Sequence, residues 1–138
     1  MNKKLFAFTI NTLKEAESVI LGSKIYKIKP ILHFKKYFLL GFGAEFILTF
    51  REILIYKFGK SNFKLLVDCG SDQSLAIKMA TKKINYLKLK NNSIILSKIN
   101  NIACKNRVLL NHTFNIVDCR NRKNLNLKIK KLYSKGKK

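Results

Sequence analysis

The stretch FKLLVDCGSDQSLAIKMATKKINYLKL, residues 63–89, decides the fold. It opens on the apolar run Phe63 to Val67 and breaks at Asp68-Cys69-Gly70-Ser71-Asp72. It resumes with Leu75, Ala76, Met79 and Ala80 at helical spacing and returns to an apolar run from Ile84 to Leu89. A buried strand, a turn, an amphipathic helix and a second buried strand make a β-α-β unit, whose two strands are parallel.

The same alternation extends to both sides. Upstream, Leu5 to Ile10 is a short buried strand. Thr12 with Glu15 three residues on forms a capping box opening a helix, with Leu13, Ala16, Val19 and Ile20 as its apolar stripe. That helix ends at Gly22 or runs on to about Tyr26. Pro30 suits the first residue of a strand, and Ile31 to Phe34 follows. Phe46, Ile47, Phe50, Ile53, Leu54 and Lys57 then recur at helical spacing, and Gly59 ends the helix. Downstream, Ile94 to Lys105 is a helix through Ile95, Ile99, Ile102 and Ala103, and Val108 to Leu110 is a short fifth strand. The expected fold is a three-layer α/β/α sandwich with a mostly parallel sheet of four or five short strands. A single domain would cover residues 1–119, with a basic C-terminal tail over 120–138. Leu125, Leu127, Ile129 and Leu132 could pin part of that tail to the domain.

Composition narrows the partners more than the chemistry. The 138 residues carry 29 Lys+Arg against 7 Asp+Glu, a net charge of +22. Only four of the cations are arginine, and Asn, Ile and Lys are abundant throughout, as AT-rich coding sequence would produce with no selection for binding. Codon usage does not explain why Asp118 is the only carboxylate after Asp72, against 17 basic residues there. That asymmetry points to a polyanionic partner. With 47% apolar residues the chain can bury a core, which sets it apart from highly charged disordered chains. Cys69, Cys104 and Cys119 fit neither a disulfide framework nor a paired zinc site. A reducing, intracellular setting follows, in the cytoplasm or an organellar matrix, with no secretion.

The stretch YFLLGFGAEFILTFREILIY, residues 37–56, is about long enough to cross a bilayer. Glu45, Arg51 and Glu52 lie inside it, however, and each costs roughly 2.5 to 3.5 kcal/mol near a helix centre. No transmembrane segment is expected. MNKKLFAFTI has too short an apolar run for a signal peptide.

Two constellations are candidates for function. Nucleic acid would be held by Arg107 and by the tail cations Arg120, Arg122, Lys123, Lys128, Lys130, Lys131, Lys135, Lys137 and Lys138. Neutralising phosphates releases counterions and gives affinity without sequence readout. Tyr133 could stack on an unpaired base, although its bland alternative, packing in the last turn of a helix, suits it better. The second constellation lies at the carboxyl ends of the strands, where open α/β sheets place ligands. Thr9, Asn11, His33, Asp68, Cys69 and Gly70 could converge there. Asp and Ser before a helix are more often caps, Cys69 more often a small buried group, and a lone histidine more often structural. No catalytic residue is assigned. Neither GxxxxGK[ST] nor GxGxxG appears, and His112 has no partner at metal-ligand spacing, so neither cofactor nor metal is expected.

The segments LFAFTINTLKEA, GFGAEFILTFREIL and FKLLVDCGSDQSLAIKMATKK resemble a family of short uncharacterised α/β proteins of alphaproteobacterial type, over roughly residues 5–119. Asp68, Cys69 and Gly70 match that family's strand ending in Asp-Cys-Gly. KKYFLLGFGAEF replaces its Gly/Ala-rich segment. The resemblance implies a fold and an ancestry and supplies no activity. The function expected from the residues is therefore RNA binding, as an accessory ribosome-associated component contacting rRNA. The alternatives are a small ligand-binding or enzymatic domain with its site at the strand ends, and a structural module binding an acidic protein. Oligomeric state is not legible.

Overall fold

In the computed structural model, which describes residues 6–35, 43–119 and 125–135, the capping box acts as its sequence says. Thr12 Oγ1 accepts the Glu15 N–H at 3.1 Å, and Glu15 Oε1 accepts the Asn11 N–H at 2.8 Å. The first bond satisfies an N–H that the first helical turn cannot pair internally, and the second holds the residue before the N-cap, one position earlier than a regular capping box does. The elements in chain order are β1 (Phe6–Thr9), α1 (Leu13–Lys24), β2 (Ile31–Phe34), α2 (Ala44–Phe58), β3 (Lys64–Asp68) and α3 (Gln73–Thr81). They continue with β4 (Tyr86–Lys88), α4 (Ser93–Lys105), β5 (Leu109–Leu110), β6 (Asn115–Asp118) and α5 (Leu125–Lys135).

The protein is α/β, with five described helices and a parallel sheet in the order β5-β4-β3-β2-β1-β6. Every neighbouring pair is parallel. The sheet has six strands where four or five were expected. The addition is β6, whose order comes from pairing all four residues with β1 and not from any periodicity of its own. Residues 125–135 form α5, which packs on α1 through the fully buried Ile129 and the buried Tyr133. Tyr133 lies edge-on to Phe8 and donates or accepts a 3.0 Å bond with Ser23 Oγ.

From β1 to β5 the chain always steps to the next strand in one direction, so right-handed crossovers place α1 to α4 on the same face. The main core is built accordingly. It joins Phe8, Leu32, Leu65, Val67, Leu87 and Val117 from one face of the sheet with Val19, Leu54, Met79, Ala103 and Ile129, one from each helix. The opposite face carries Ala7, Ile31, Leu66 and Tyr86, and Phe114 from the β5–β6 connection packs on it, 4.9 Å from the Tyr86 ring centroid. Helices, sheet and this connection are the successive layers.

That connection also sets the curvature. Four residues separate Leu110 from Asn115, on opposite edges of the sheet. A flat sheet of this strand number would hold its edges about 24 Å apart, while the linker reaches at most about 18 Å even fully extended. The sheet is therefore rolled, with its helices on the convex side. Among the described residues no helix is long and apolar enough to cross a membrane.

Candidate functional site

A parallel sheet gives the molecule two unlike ends. At the carboxyl end of the strands the register aligns Thr9, His33 and Leu66, and Asp68 lies beside Lys88. Thr9 Oγ1 is 2.9 Å from His33 Nδ1, and both side chains are buried. Burial lowers the His33 pKa to about 4; Lys88 and Lys35 act in the same direction, while Asp68 and Asp118 oppose it. The imidazole is therefore neutral at pH 7, and the Thr9 hydroxyl can donate to Nδ1 when the proton sits on Nε2. Lys35 Nζ reaches Asp118 Oδ2 at 3.4 Å across the end of β1. A cavity of about 520 Å³ adjoins this cluster, lined by Asp68, Gly70, Ser71, Lys88, Lys90 and Asn111.

Of the six residues expected to converge, Thr9, His33 and Asp68 do so, and Gly70 lines the adjoining cavity. Asn11 is engaged with Glu15 at the start of α1. Cys69 follows Asp68 by one residue, so its side chain enters the opposite, helix-covered face, where burial pushes its thiol up to about 12. A thiol held protonated is a poor nucleophile. Gly70 takes φ +60 in the turn, with its N–H on Asp68 Oδ1 at 2.9 Å, and Asp72 caps α3 by accepting the Leu75 N–H at 3.0 Å. The loop is thus built for turn and cap geometry. Among the described residues no cluster of three His, Cys, Asp or Glu is placed to hold a metal ion.

The other end of the molecule is cationic for a topological reason. Each described helix runs back against its strand, so the C-termini of the described helices meet at the amino end of the sheet. Three helices finish there in the same way. Lys27, Lys83 and Arg107 each adopt a left-handed backbone, with φ of 56, 61 and 60°. In each case the N–H of that residue bonds the carbonyl three back: Lys24, Ala80 and Cys104, at 3.0, 3.0 and 3.1 Å. The next N–H bonds the carbonyl five back: Ser23, Met79 and Ala103, at 3.2, 3.1 and 2.8 Å. This is the Schellman termination, whose left-handed position favours glycine. A side chain there costs about 1 to 2 kcal/mol. In all three the occupant is an exposed cation followed by Ile or Val.

Exposed Lys24, Lys29, Lys57, Lys60, Lys82 and Lys105 flank these three positions. Arg51 on α2 donates to the Lys82 carbonyl at 2.7 Å and ties α2 to the end of α3. Tyr56, in the last turn of α2, is 92% exposed. Tyr133 is instead the packing residue its alternative reading describes, with burial raising its pKa against the bond from Ser23. Of the expected nucleic-acid contacts, Arg107 belongs to this end, Lys128, Lys130 and Lys131 ride on α5, and Lys135 is its last residue. Arg120, Arg122, Lys123, Lys137 and Lys138 lie outside the described residues. The sequence signal for the rest was present but small: a cation followed by Ile or Val after each of three helices.

The acids are distributed in the opposite sense. Glu15 and Glu45 are in first turns, Asp72 is an N-cap, and Asp68 and Asp118 end strands, so five of the seven sit at the carboxyl end. Local rules place charge this way, because carboxylates favour helix N-termini and cations C-termini. Parallel βα units add those local preferences into one separation of charge across the molecule.

No known family profile and no curated protein matches the chain. Its fold is similar to that of a putative fructose-1,6-biphosphate aldolase from Coccidioides immitis, with a TM-score of 0.58 at 8% identity. That likeness covers 78% of this chain and 44% of the other, so the chain spans less than half of that structure, and the fold alone is shared.

Proposed function

We propose that the protein binds RNA, holding phosphates on its lysine-rich surface. An accessory place against rRNA in a ribosome is the form of this reading that suits its size and charge best. The observation that carries it is the internal use of the acids. Glu17 pairs with Lys57 at 2.5 Å, Glu45 with Lys78, and Asp118 with Lys35, while Glu15, Asp68 and Asp72 serve caps and a turn. Glu52 is the seventh acid. Exposed pairs of this kind contribute about 0 to 1 kcal/mol each, so they are incidental to stability. Their bearing on the field is larger: among the described residues they engage Lys35, Lys57 and Lys78, and the chain keeps its net charge of +22. Binding of the full chain to an RNA oligonucleotide, followed by fluorescence anisotropy, should weaken steeply with salt, with log K falling by about 0.7 per contacted phosphate for each decade of salt. Absence of binding at low salt would contradict the proposal.

The cavity lined by Asp68, Lys88 and Lys90 supports a second reading, a small polar ligand held at the carboxyl ends of the strands. A ligand of that kind would shift the backbone amide resonances of Gly70, Ser71 and Lys90, and a library that leaves them unmoved would count against it.

A further inference from the structure

We infer that single-stranded RNA crosses the amino-end face, with Lys27, Lys83 and Arg107 as its phosphate contacts and Tyr56 as a platform for a base. This inference rests on the RNA-binding reading above and assigns it a surface.

The first argument is the choice of residue at the three left-handed positions. Helix-dipole chemistry favours cations at a helix end, as with Lys24, Lys57 and Lys105, and it reaches the position after the helix too, but its contribution is smaller than the strain there. There a side chain is strained by its φ, and glycine terminates the helix better. Fold stability therefore argues against Lys27, Lys83 and Arg107, and a role outside the fold argues for them. The second argument is rigidity. Each of the three is fixed by two backbone hydrogen bonds, and Arg51 braces the turn at Lys82. The backbone positions from which the three cations extend are consequently set by the fold.

The third argument concerns spacing and partner. Neighbouring helices pack roughly 8 to 10 Å apart, so Lys83 and Arg107, which follow the adjacent α3 and α4, stand at about that interval, and Lys27, which follows α1, stands two intervals from Lys83 with the end of α2 between them. A flexible strand with a charge on every nucleotide can match such an arc, whereas an acidic protein offers fixed, irregular carboxylates. The fourth is Tyr56, in the last turn of α2, whose exposed ring supplies the stacking surface that unpaired bases use.

The test uses the full chain, a poly(U) oligonucleotide and two triple variants of equal charge. One is Lys27→Gly, Lys83→Gly and Arg107→Gly. The other, at the opposite end, is Lys14→Gln, Lys88→Gln and Lys90→Gln, all exposed positions. The glycine variant should unfold at higher temperature, by roughly 5 °C or more, because it relieves three strained residues. It should nevertheless bind poly(U) on the order of a hundredfold more weakly at about 0.1 M salt, with its log–log salt slope shallower by about 2. The control variant should stay within a few-fold of the parent. Equal losses in both variants would overturn this surface while leaving RNA binding intact. A parent chain that ignores poly(U) in dilute buffer would overturn the RNA-binding reading itself. Binding of poly(glutamate) through the same three residues, with poly(U) ignored, would overturn the choice of partner.

Discussion

The two ends of this sheet use their polar residues in opposite ways. At the carboxyl end, Thr9, His33, Asp68, Asp72 and Asp118 are bonded to one another, to backbone or to lysine, and two of them are buried. At the amino end, Lys27, Lys83 and Arg107 are exposed on strained backbone and are not required by the fold around them. Polar groups that the fold consumes are explained by folding. Those that the fold would be more stable without call for another explanation, and this contrast directs attention to the amino end.

The largest effect that can break the comparison lies beneath the cationic face. Tyr133→Ala removes a ring packed 5.5 Å from Tyr26 and 6.3 Å from Phe8 and strips Ser23 of its partner. It should cost about 3 to 5 kcal/mol and detach α5, seen as a lower denaturation midpoint. Tyr133→Phe, which keeps the ring and loses the hydroxyl, should cost only about 1 kcal/mol. Unchanged stability in the alanine variant would mean that α5 is an appendage and not part of the core.

A smaller effect sharpens the carboxyl end. His33 is held neutral by burial, with its folded pKa near 4 against an ordinary 6.5. Above about pH 6.5 neither folded nor unfolded chain is protonated there, so this contribution is fully present. Between about pH 6.5 and 4 the unfolded chain takes up the proton first and stability falls, by up to about 3 kcal/mol; below pH 4 the loss levels off. His33→Asn keeps an acceptor for the Thr9 hydroxyl and cannot titrate. The difference between its denaturation curves and those of the parent should therefore open only in that acidic window. Superimposable acid dependence in the two chains would show that His33 is not buried in its neutral form.

Much of this architecture was legible because it is local. The spacing of Leu75, Ala76, Met79 and Ala80, the Thr12–Glu15 box and the stop at Gly59 each act within a few residues of chain. The meeting of Thr9, His33 and Asp68 was legible too, since parallel strands all finish at one end of the sheet and Asp68, two residues beyond the level of His33, lies on the same face. Cys69 was misplaced for a simple reason of parity: one residue beyond Asp68 is the other face of the sheet. β6 and the roll of the sheet were not legible, because both depend on which strands pair, a long-range choice that four residues of connection make decisive. The three terminations at Lys27, Lys83 and Arg107 were hidden by the absence of glycine, the residue that normally announces them.

The central claim is tested most directly by lysine acetylation footprinting of the full chain with and without poly(U), read by mass spectrometry. Protection of Lys24, Lys27, Lys29, Lys82, Lys83 and Lys105, with Lys14, Lys88 and Lys90 still modified, is the expected pattern. Protection concentrated on the latter three, or spread evenly over both ends, would contradict it.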